Sequence, residues 1–577
     1  MSLEELTLEI PLRTRHATLC YDGRQRWHGG AVRGDMAFRF SPNIWLGDEE
    51  LGLCWQAESD EDWRYADEQK AIEVLPRGQT TTFRANLVNV PTQLSAGQAL
   101  RYKFALQATP IKPLLRDAWD LRIARHEPFG RALDLPDWKT DGKPMLQYYA
   151  EAGVRHLAIN LCDLWSYPMP VHKKFADALH RLMDKAHVYG LKVYAYSIHQ
   201  RFPVSAPEFD VHGLHMSKRP LSRYHGNSWP PGFQRVGAVV HKYGADSQGS
   251  AMFCSKSKAL QDANVHSLAK LLDEYGVDGV YLDGTAAHTT WCQNMLHGCG
   301  YRTKDGSIRQ TSPVFAKRQF MKRIYTVVKQ RRPDGVVDLH CSFGYNTPVA
   351  ANSDMMLTGE HWGRLEATGG VVPDGYVAGL LTLDMFATQY TGYQVGVPAE
   401  TVAYRILNGY GKGGMRKLLA TTLLHDIPIR PSTPGFALLA PRADRQKVVA
   451  GQRIEEDCFD LMVKLWKMRD QFGAKEAQKL FYWNNQDYVR VSPENCYALL
   501  LKHPKNGVLA FISNLSKDAQ TVTAQFDLGK LGLHGKDIDA FNPLTGEPVA
   551  VAADGTMSVA LESEDWIYVW LQPKTVK

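Results

Sequence analysis

Two short segments place a carboxylate where it could do chemistry. In Val280-Tyr281-Leu282-Asp283-Gly284 an apolar run ends in an acid, and the following glycine frees the backbone to turn sharply. In Gly359-Glu360-His361-Trp362 a second acid follows the apolar Met355–Leu357 and stands beside an aromatic ring. Two carboxylates on either side of one bond can divide the acid, base and nucleophile duties that glycosidic cleavage demands. A separation of about 5–5.5 Å serves retention and roughly 6.5–9.5 Å serves inversion. Asp283 and Glu360 are therefore the candidate catalytic pair. An acid at a strand end can equally cap a helix, and Glu360 could be a structural ion-pair partner.

Other polar and aromatic residues stand at comparable points. Asp163 and Trp165 follow His156–Leu161, and His199 follows Val193–Ile198. Tyr281 precedes Asp283, with His288 and Trp291 just beyond it. His340 ends Val336–Leu339, His361 and Trp362 follow Glu360, and Asp426 closes a later element after His425. Sugar hydroxyls accept and donate hydrogen bonds, and the C–H faces of sugars pack on aromatic rings, so these residues are expected to bind substrate. Asp278, upstream on the same strand as Asp283, is expected to be structural. His199, His340, His361 and His425 show neither HxH nor HExxH spacing. The nine cysteines are dispersed, with no CxxC and only Cys292 and Cys299 close together, which favours reduced thiols. No metal and no cofactor is expected.

The elements that must hold these residues repeat one pattern. Phe175, Leu179, Leu182, Met183 and Ala186 mark a helix face that stops at Gly190, and a largely apolar strand follows. Leu260, Ala263, Leu268, Leu271, Leu272 and Tyr275 mark a second helix ending at Gly276, with Val277–Leu282 after it. Phe320, Ile324, Val327 and Val328 mark a third, before Val336–Cys341. Helix, glycine and buried strand in repetition mean parallel strands with helical crossovers, and some 300 residues of this suit a (β/α)8 TIM barrel. Barrel enzymes carry their chemistry at the C-terminal strand ends. If one strand precedes His156, Asp283 ends the fourth strand and Glu360 follows the sixth. The competing dinucleotide-binding sheet rests on one GxGxxG, Gly409–Gly414, which comes late and is followed by Pro428, Pro431 and Pro434.

On either side the pattern turns to strands. Ala31–Phe40, Gly52–Ala57, Thr80–Val88 and Leu100–Gln107 read as a β-sandwich, and Ala108–Pro113 as a link. After a helix near Asp457–Phe472, a second strand-rich block runs from Phe481 to Leu571. The expected fold is thus multidomain α/β and β: an N-terminal β-sandwich over 1–112, a (β/α)8 barrel over 113–445, and a helix plus C-terminal β-sandwich over 446–577.

Several of these residues carry a resemblance. Trp45-Leu46-Gly47-Asp48, Gly52-Leu53-Cys54-Trp55, Glu58-Ser59-Asp60 and Trp63 resemble the N-terminal domain beside glycoside hydrolase family 123-like barrels. Ala108-Thr109-Pro110 with Lys112-Pro113 is similar to the junction in those proteins, Asp278–Thr285 to their fourth-strand motif and Thr358-Gly359-Glu360 to a later one. The likeness covers roughly Leu6 to Pro431. Family 123 itself implies β-N-acetylgalactosaminidases with an adjacent Asp-Glu pair and substrate assistance by an acetamido group. Here Asp283 is followed by Gly284, so the pair is absent. An Asp on strand four with a carboxylate on strand six looks more like retaining α-galactosidase-type barrels, with Asp283 as nucleophile and Glu360 as acid/base.

The whole therefore reads as an exo-acting, retaining glycoside hydrolase. A substrate-assisted N-acetylhexosaminidase and a non-catalytic glycan-binding barrel are the alternatives, and a histidine-based metal enzyme is a third. The long irregular stretch Phe202–Phe253 points to a walled pocket and exo-action. A net charge of +6 over 577 residues, with scattered Lys and Arg, leaves no nucleic-acid footprint. No run of about 18 apolar residues would span a membrane. The partner expected is a carbohydrate substrate, with a homo-oligomer left open. Met1–Cys20 lacks the apolar core of a secretory signal, so the chain as written reads as cytoplasmic, or as periplasmic or secreted if a leader was removed.

Overall fold

The computed structural model describes residues 2–23, 29–114, 117–126, 132–159, 173–197, 199, 201–203, 211–212, 215, 234–235, 249–283, 291–341, 347–359, 382–401, 416–431, 458–533 and 538–574. Its central sheet has seven parallel strands in sequential order: β1 (Ile123–His126), β2 (His156–Ile159), β3 (Lys192–Ser197), β4 (Gly279–Leu282), β5 (Val337–His340), β6 (Met355–Thr358) and β7 (Ala399–Thr401). A parallel bridge from Thr401 to Ile429 adds an eighth position. The strand that the count required before His156 is β1, which sets β4 and β6 as the fourth and sixth.

Helices cross between the strands. They are α1 (Lys173–Val188), α2 (Lys258–Tyr275) and α3 (Val314–Arg331). α1 buries the face expected of it, with Ala178 added. The Ser257 hydroxyl accepts from Leu260 N–H to start α2, and Gly276 ends it at φ +71°, a left-handed conformation that suits glycine. In α2 and α3, Ala263, Tyr275 and Val327 are only half-buried.

Strand alternation sorts the sheet into two faces. Val193, Ala195, Val280, Leu282, Val337, Leu339 and Met356 pack against the helices. Tyr194, Tyr196, Tyr281, Met355 and Leu357 form a separate cluster on the inner face. Gly279 is also on that face, and a Cβ there would lie 2.3 Å from the Val336 carbonyl.

The N-terminal strands form a five-stranded and a four-stranded antiparallel sheet, which enclose Phe38, Ile44, Trp55, Trp63, Ile72 and Phe83. The outer face of the five-stranded sheet offers Leu19, Tyr21, Trp45 and Cys54 to Ala387 of the central region. After α4 (Cys458–Phe472), a five-stranded and a three-stranded sheet form the C-terminal sandwich. Its strands alternate between two cores. Ala498, Leu500, Val508 and Ala510 face the sandwich interior, whereas Leu499, Leu501, Leu509 and Phe511 join the core of the central region. Among the described residues no helix is long and apolar enough to cross a membrane. The GxGxxG segment lies outside the described residues, while 416–422 just after it are helical.

Candidate active site

Register alone brings the first groups together. Tyr196 pairs with Tyr281, and Tyr281 with Asp338. Two residues further along each strand, on the same face, stand Asp283 and His340. The ladder continues past β3 and β4 through Asp283 N–H to the Ser197 carbonyl, 2.9 Å. The Asp283 side chain is 25% exposed, so it meets solvent at the C-terminal mouth of the sheet. The Tyr196 hydroxyl donates to its Oδ2, and His340 Nδ1 lies 3.2 Å from its Oδ1. One carboxylate oxygen thus accepts a hydroxyl, which stabilises its charge, and the other faces the imidazole.

Tyr281 lies beneath this pair. Its ring centroid is 5.0 Å from Tyr196 and 5.8 Å from His340, and it is 2% exposed. Expected as a substrate contact, it is instead a floor that fixes two neighbours. Below it Arg430 stands with its guanidinium carbon 5.4 Å from the Tyr281 ring centre. Arg430 Nη1 donates to Asp338 Oδ2 and its Nε to Glu400 Oε2, each at 2.6 Å. All three side chains are buried. Burial pushes the Glu400 carboxyl up to about 7, partly offset by Arg430 and reinforced by Asp338; Asp338 is also raised by burial. One cation thus holds two buried carboxylates beside the Tyr281 ring.

Three further expectations are corrected. Asp426 does not end a strand. It precedes the eighth strand position, set by Thr401 N–H to Pro428 and Arg430 N–H to Thr401, and so lies at the opposite end from Asp283. Its buried carboxylate is engaged by Arg469 at 2.7 Å and Lys479 at 2.5 Å. His199 packs its ring 5.2 Å from Phe320 of α3, on the helix side of the sheet. Trp291 packs against the N-terminal sandwich core, because the chain beyond β4 runs back towards that domain. Asp278 is structural as read: its Oδ2 accepts from Val193 N–H at 2.8 Å and lies 2.9 Å from His187 Nε2.

Glu360, Asp163, Trp165, His288, His361 and Trp362 lie outside the described residues. Tyr196 was missed by sequence reasoning. The signal was its parity: it stands second from the end of β3 on the inner face. Asp338, Glu400 and Arg430 were missed as well, although Asp338 interrupts the apolar Val336–Leu339, which already calls for a buried partner. His425, considered as a metal ligand, is buried with Nδ1 2.8 Å from the Thr421 carbonyl, and burial lowers it to about 4. His199, His340 and His425 thus have three separate environments. Potential metal ligands do gather elsewhere, where Cys254, Cys292, His297 and Cys299 bring their ligand atoms within 4.8 Å of one another. At the opposite mouth of the sheet a cavity of about 760 Å³ is lined by Asp117, Arg155, His156, Lys192 and Lys479.

Residues 462–545 match the family model described as "Glycoside hydrolase 123, C-terminal domain". The resemblance to family 123 is borne out there, on a segment beyond the stretch that carried it in the sequence. No curated protein matches the chain. Among solved structures, a GH36 alpha-galactosidase, AgaA, from Geobacillus stearothermophilus in complex with 1-deoxygalactonojirimycin is similar with a TM-score of 0.54 and 11% identity. The match covers 98% of this chain and 76% of that one. The same enzyme in complex with stachyose gives 0.53 at 11% identity, with the same coverage. A maltogenic alpha-amylase, AmyB, from Thermotoga neapolitana gives 0.47 at 12%, covering 80% of this chain and 100% of that one. At 11% identity the likeness to the alpha-galactosidase is one of fold alone.

Proposed function

We propose that the chain is a glycoside hydrolase whose central sheet closes as a (β/α)8 barrel, and that Asp283 is a catalytic carboxylate. One observation carries the reading. A one-quarter-exposed acid stands at the C-terminal end of β4, on the inner face, with one oxygen accepting from Tyr196 and the other 3.2 Å from His340 Nδ1. The match of residues 462–545 to a glycoside hydrolase 123 domain and the fold shared with a GH36 alpha-galactosidase support it. We divide the chain as the sequence suggested, with the barrel at 113–445 between a sandwich at 1–112 and a helix plus sandwich at 446–577.

The mechanism we assign is retaining and exo-acting. An Asp283 oxygen attacks the anomeric carbon while the carboxyl of Glu360 protonates the departing glycosidic oxygen. Water then attacks the glycosyl ester, Glu360 takes its proton, and Asp283 is released as carboxylate. His340, beside Asp283, and the expected residues Asp163, Trp165, His288, His361 and Trp362 would bind the sugar. Tyr196 positions the nucleophile.

Aryl glycosides of both anomers, offered to the wild type and to Asp283→Asn and Glu360→Gln, test this. Turnover of one sugar by the wild type and its loss in both variants is the expected result. Wild-type rates in Asp283→Asn would overturn the assignment. Glycan affinity without turnover would favour the binding-protein alternative.

A further inference from the structure

The cysteine pattern gave no metal motif along the chain, yet folding assembles one. Cys254 stands between β3 and α2, 38 residues before Cys292, and Cys292, His297 and Cys299 follow Asp283 in the connection from β4 to α3. Their four ligand atoms all lie within 4.8 Å of one another, and the three cysteines are fully buried. Cys254 Sγ and Cys299 Sγ are 3.7 Å apart, and Cys292 Sγ is 3.2 Å from His297 Nε2. A zinc ion about 2.3 Å from each sulfur sets tetrahedral sulfurs roughly 3.8 Å apart, and sulfur and imidazole nitrogen roughly 3.5 Å apart. A disulfide would need about 2.05 Å. The spacing is that of ligands around a common centre.

The surroundings suit a metal as well. His297 Nδ1 lies 2.6 Å from the His215 carbonyl, which can only accept. Nδ1 therefore carries the hydrogen and Nε2 turns its lone pair towards the sulfurs, the arrangement of a metal-bound imidazole. The Lys256 backbone N–H points at Cys254 Sγ from 3.4 Å, a donor that stabilises thiolate. Three thiolates and a dication sum to one negative charge, and Lys256 supplies a cation beside it, its Nζ 2.7 Å from the Gly298 carbonyl.

The geometry points to a structural zinc site formed by Cys254, Cys292, His297 and Cys299. Three soft thiolates and one imidazole in a tetrahedral set select zinc, and four protein ligands leave no open position for a substrate. The ion clasps two loops. One follows β3, which carries Tyr196, and the other follows Asp283. Paired hydrogen bonds at 2.9 Å between Cys292 and Thr311 fasten the second loop. Ser312 N–H to the Glu58 carbonyl, 2.8 Å, and the Tyr301 hydroxyl to Asp60, 2.9 Å, fasten it to the N-terminal sandwich. The ion would thus stiffen the C-terminal mouth without touching a reacting atom, and the inference does not depend on the proposed reaction.

Metal analysis of the purified full chain tests it. The expected content is one zinc per chain, absent from Cys254→Ser and Cys292→Ser and retained in Cys458→Ser, whose thiol lies on α4. Should the ligand variants fail to fold, cobalt exchanged into the wild type decides. It should show thiolate-to-cobalt charge transfer and the intense d–d bands of a tetrahedral ion. A wild type that binds neither zinc nor cobalt, or that forms a Cys254–Cys299 disulfide in a peptide map, overturns the site. So does zinc that persists in folded ligand variants.

Discussion

Two acidic sites occupy the inner face of one sheet, and they live under different physics. At the first, Asp283 is one-quarter exposed, accepts from a hydroxyl and has an imidazole beside it. At the second, Asp338 and Glu400 are buried and held by the guanidinium of Arg430. A carboxylate open to solvent and steadied by polar groups keeps its charge available to a ligand. A carboxylate sealed in the interior needs a cation, and its charge is spent on that pairing. Burial and the partner that comes with it, more than residue type, separate the exposed acid from the sealed ones.

Substitutions at each site should therefore fail in different ways. The largest effect expected is on turnover. Asp283→Asn should lower kcat by about 10⁴-fold, with unfolding midpoints near wild type. A collapse of stability without a specific loss of rate would erase the distinction between the two sites. Next, Arg430→Met leaves two buried acids unpaired and should cost about 3–5 kcal/mol in denaturant unfolding, while the folded fraction still turns over.

The pH dependence of stability sharpens the contrast. Glu400 is raised from 4.5 to about 7, so the folded chain holds the extra proton between those values. Its contribution is full below about pH 4.5 and is lost as pH rises through 7. His425 is lowered from 6.5 to about 4, so its contribution is full above 6.5 and is lost as pH falls through 4. Each amounts to about 3 kcal/mol, and the two slopes oppose each other. Glu400→Gln should unmask stability that rises with pH across this window, and His425→Leu stability that falls. Unfolding free energies measured from pH 4 to 8 would show it, and two flat profiles would refute it.

The smallest effect concerns the hydroxyl that donates to Asp283. Tyr196→Phe should reduce kcat about 10- to 100-fold, the worth of one hydrogen bond to a charged group, and should shift the acidic limb of the pH–rate profile. An unchanged profile would leave Tyr196 as packing alone.

Part of this was legible in the chain. Helix faces at 3.6-residue spacing, stopped by Gly190 and Gly276 before apolar strands, announced parallel strands, and the acid after Leu282 announced the strand end. Asp426 misled because the leucines before it suggested a strand end; residues 416–422 are helical, so the acid precedes the eighth strand position instead of closing a strand. β1, Ile123-Ala124-Arg125-His126, ends in two polar residues and so offered no apolar run to read. Trp291 and His199 stood at plausible positions, but nothing local says which side of a sheet a loop residue will take.

Local periodicity, then, determined the strand–helix order, the flanking β-blocks and the place of Asp283 along β4, because those follow from how neighbouring residues share one backbone. Only the tertiary structure decided which acids meet water and which are sealed with Arg430, and only it drew Cys254 to Cys292, His297 and Cys299. Burial and the meeting of distant side chains depend on how whole elements pack. The strength of a charge, or the reach of a ligand set, is fixed by that packing and by nothing written locally.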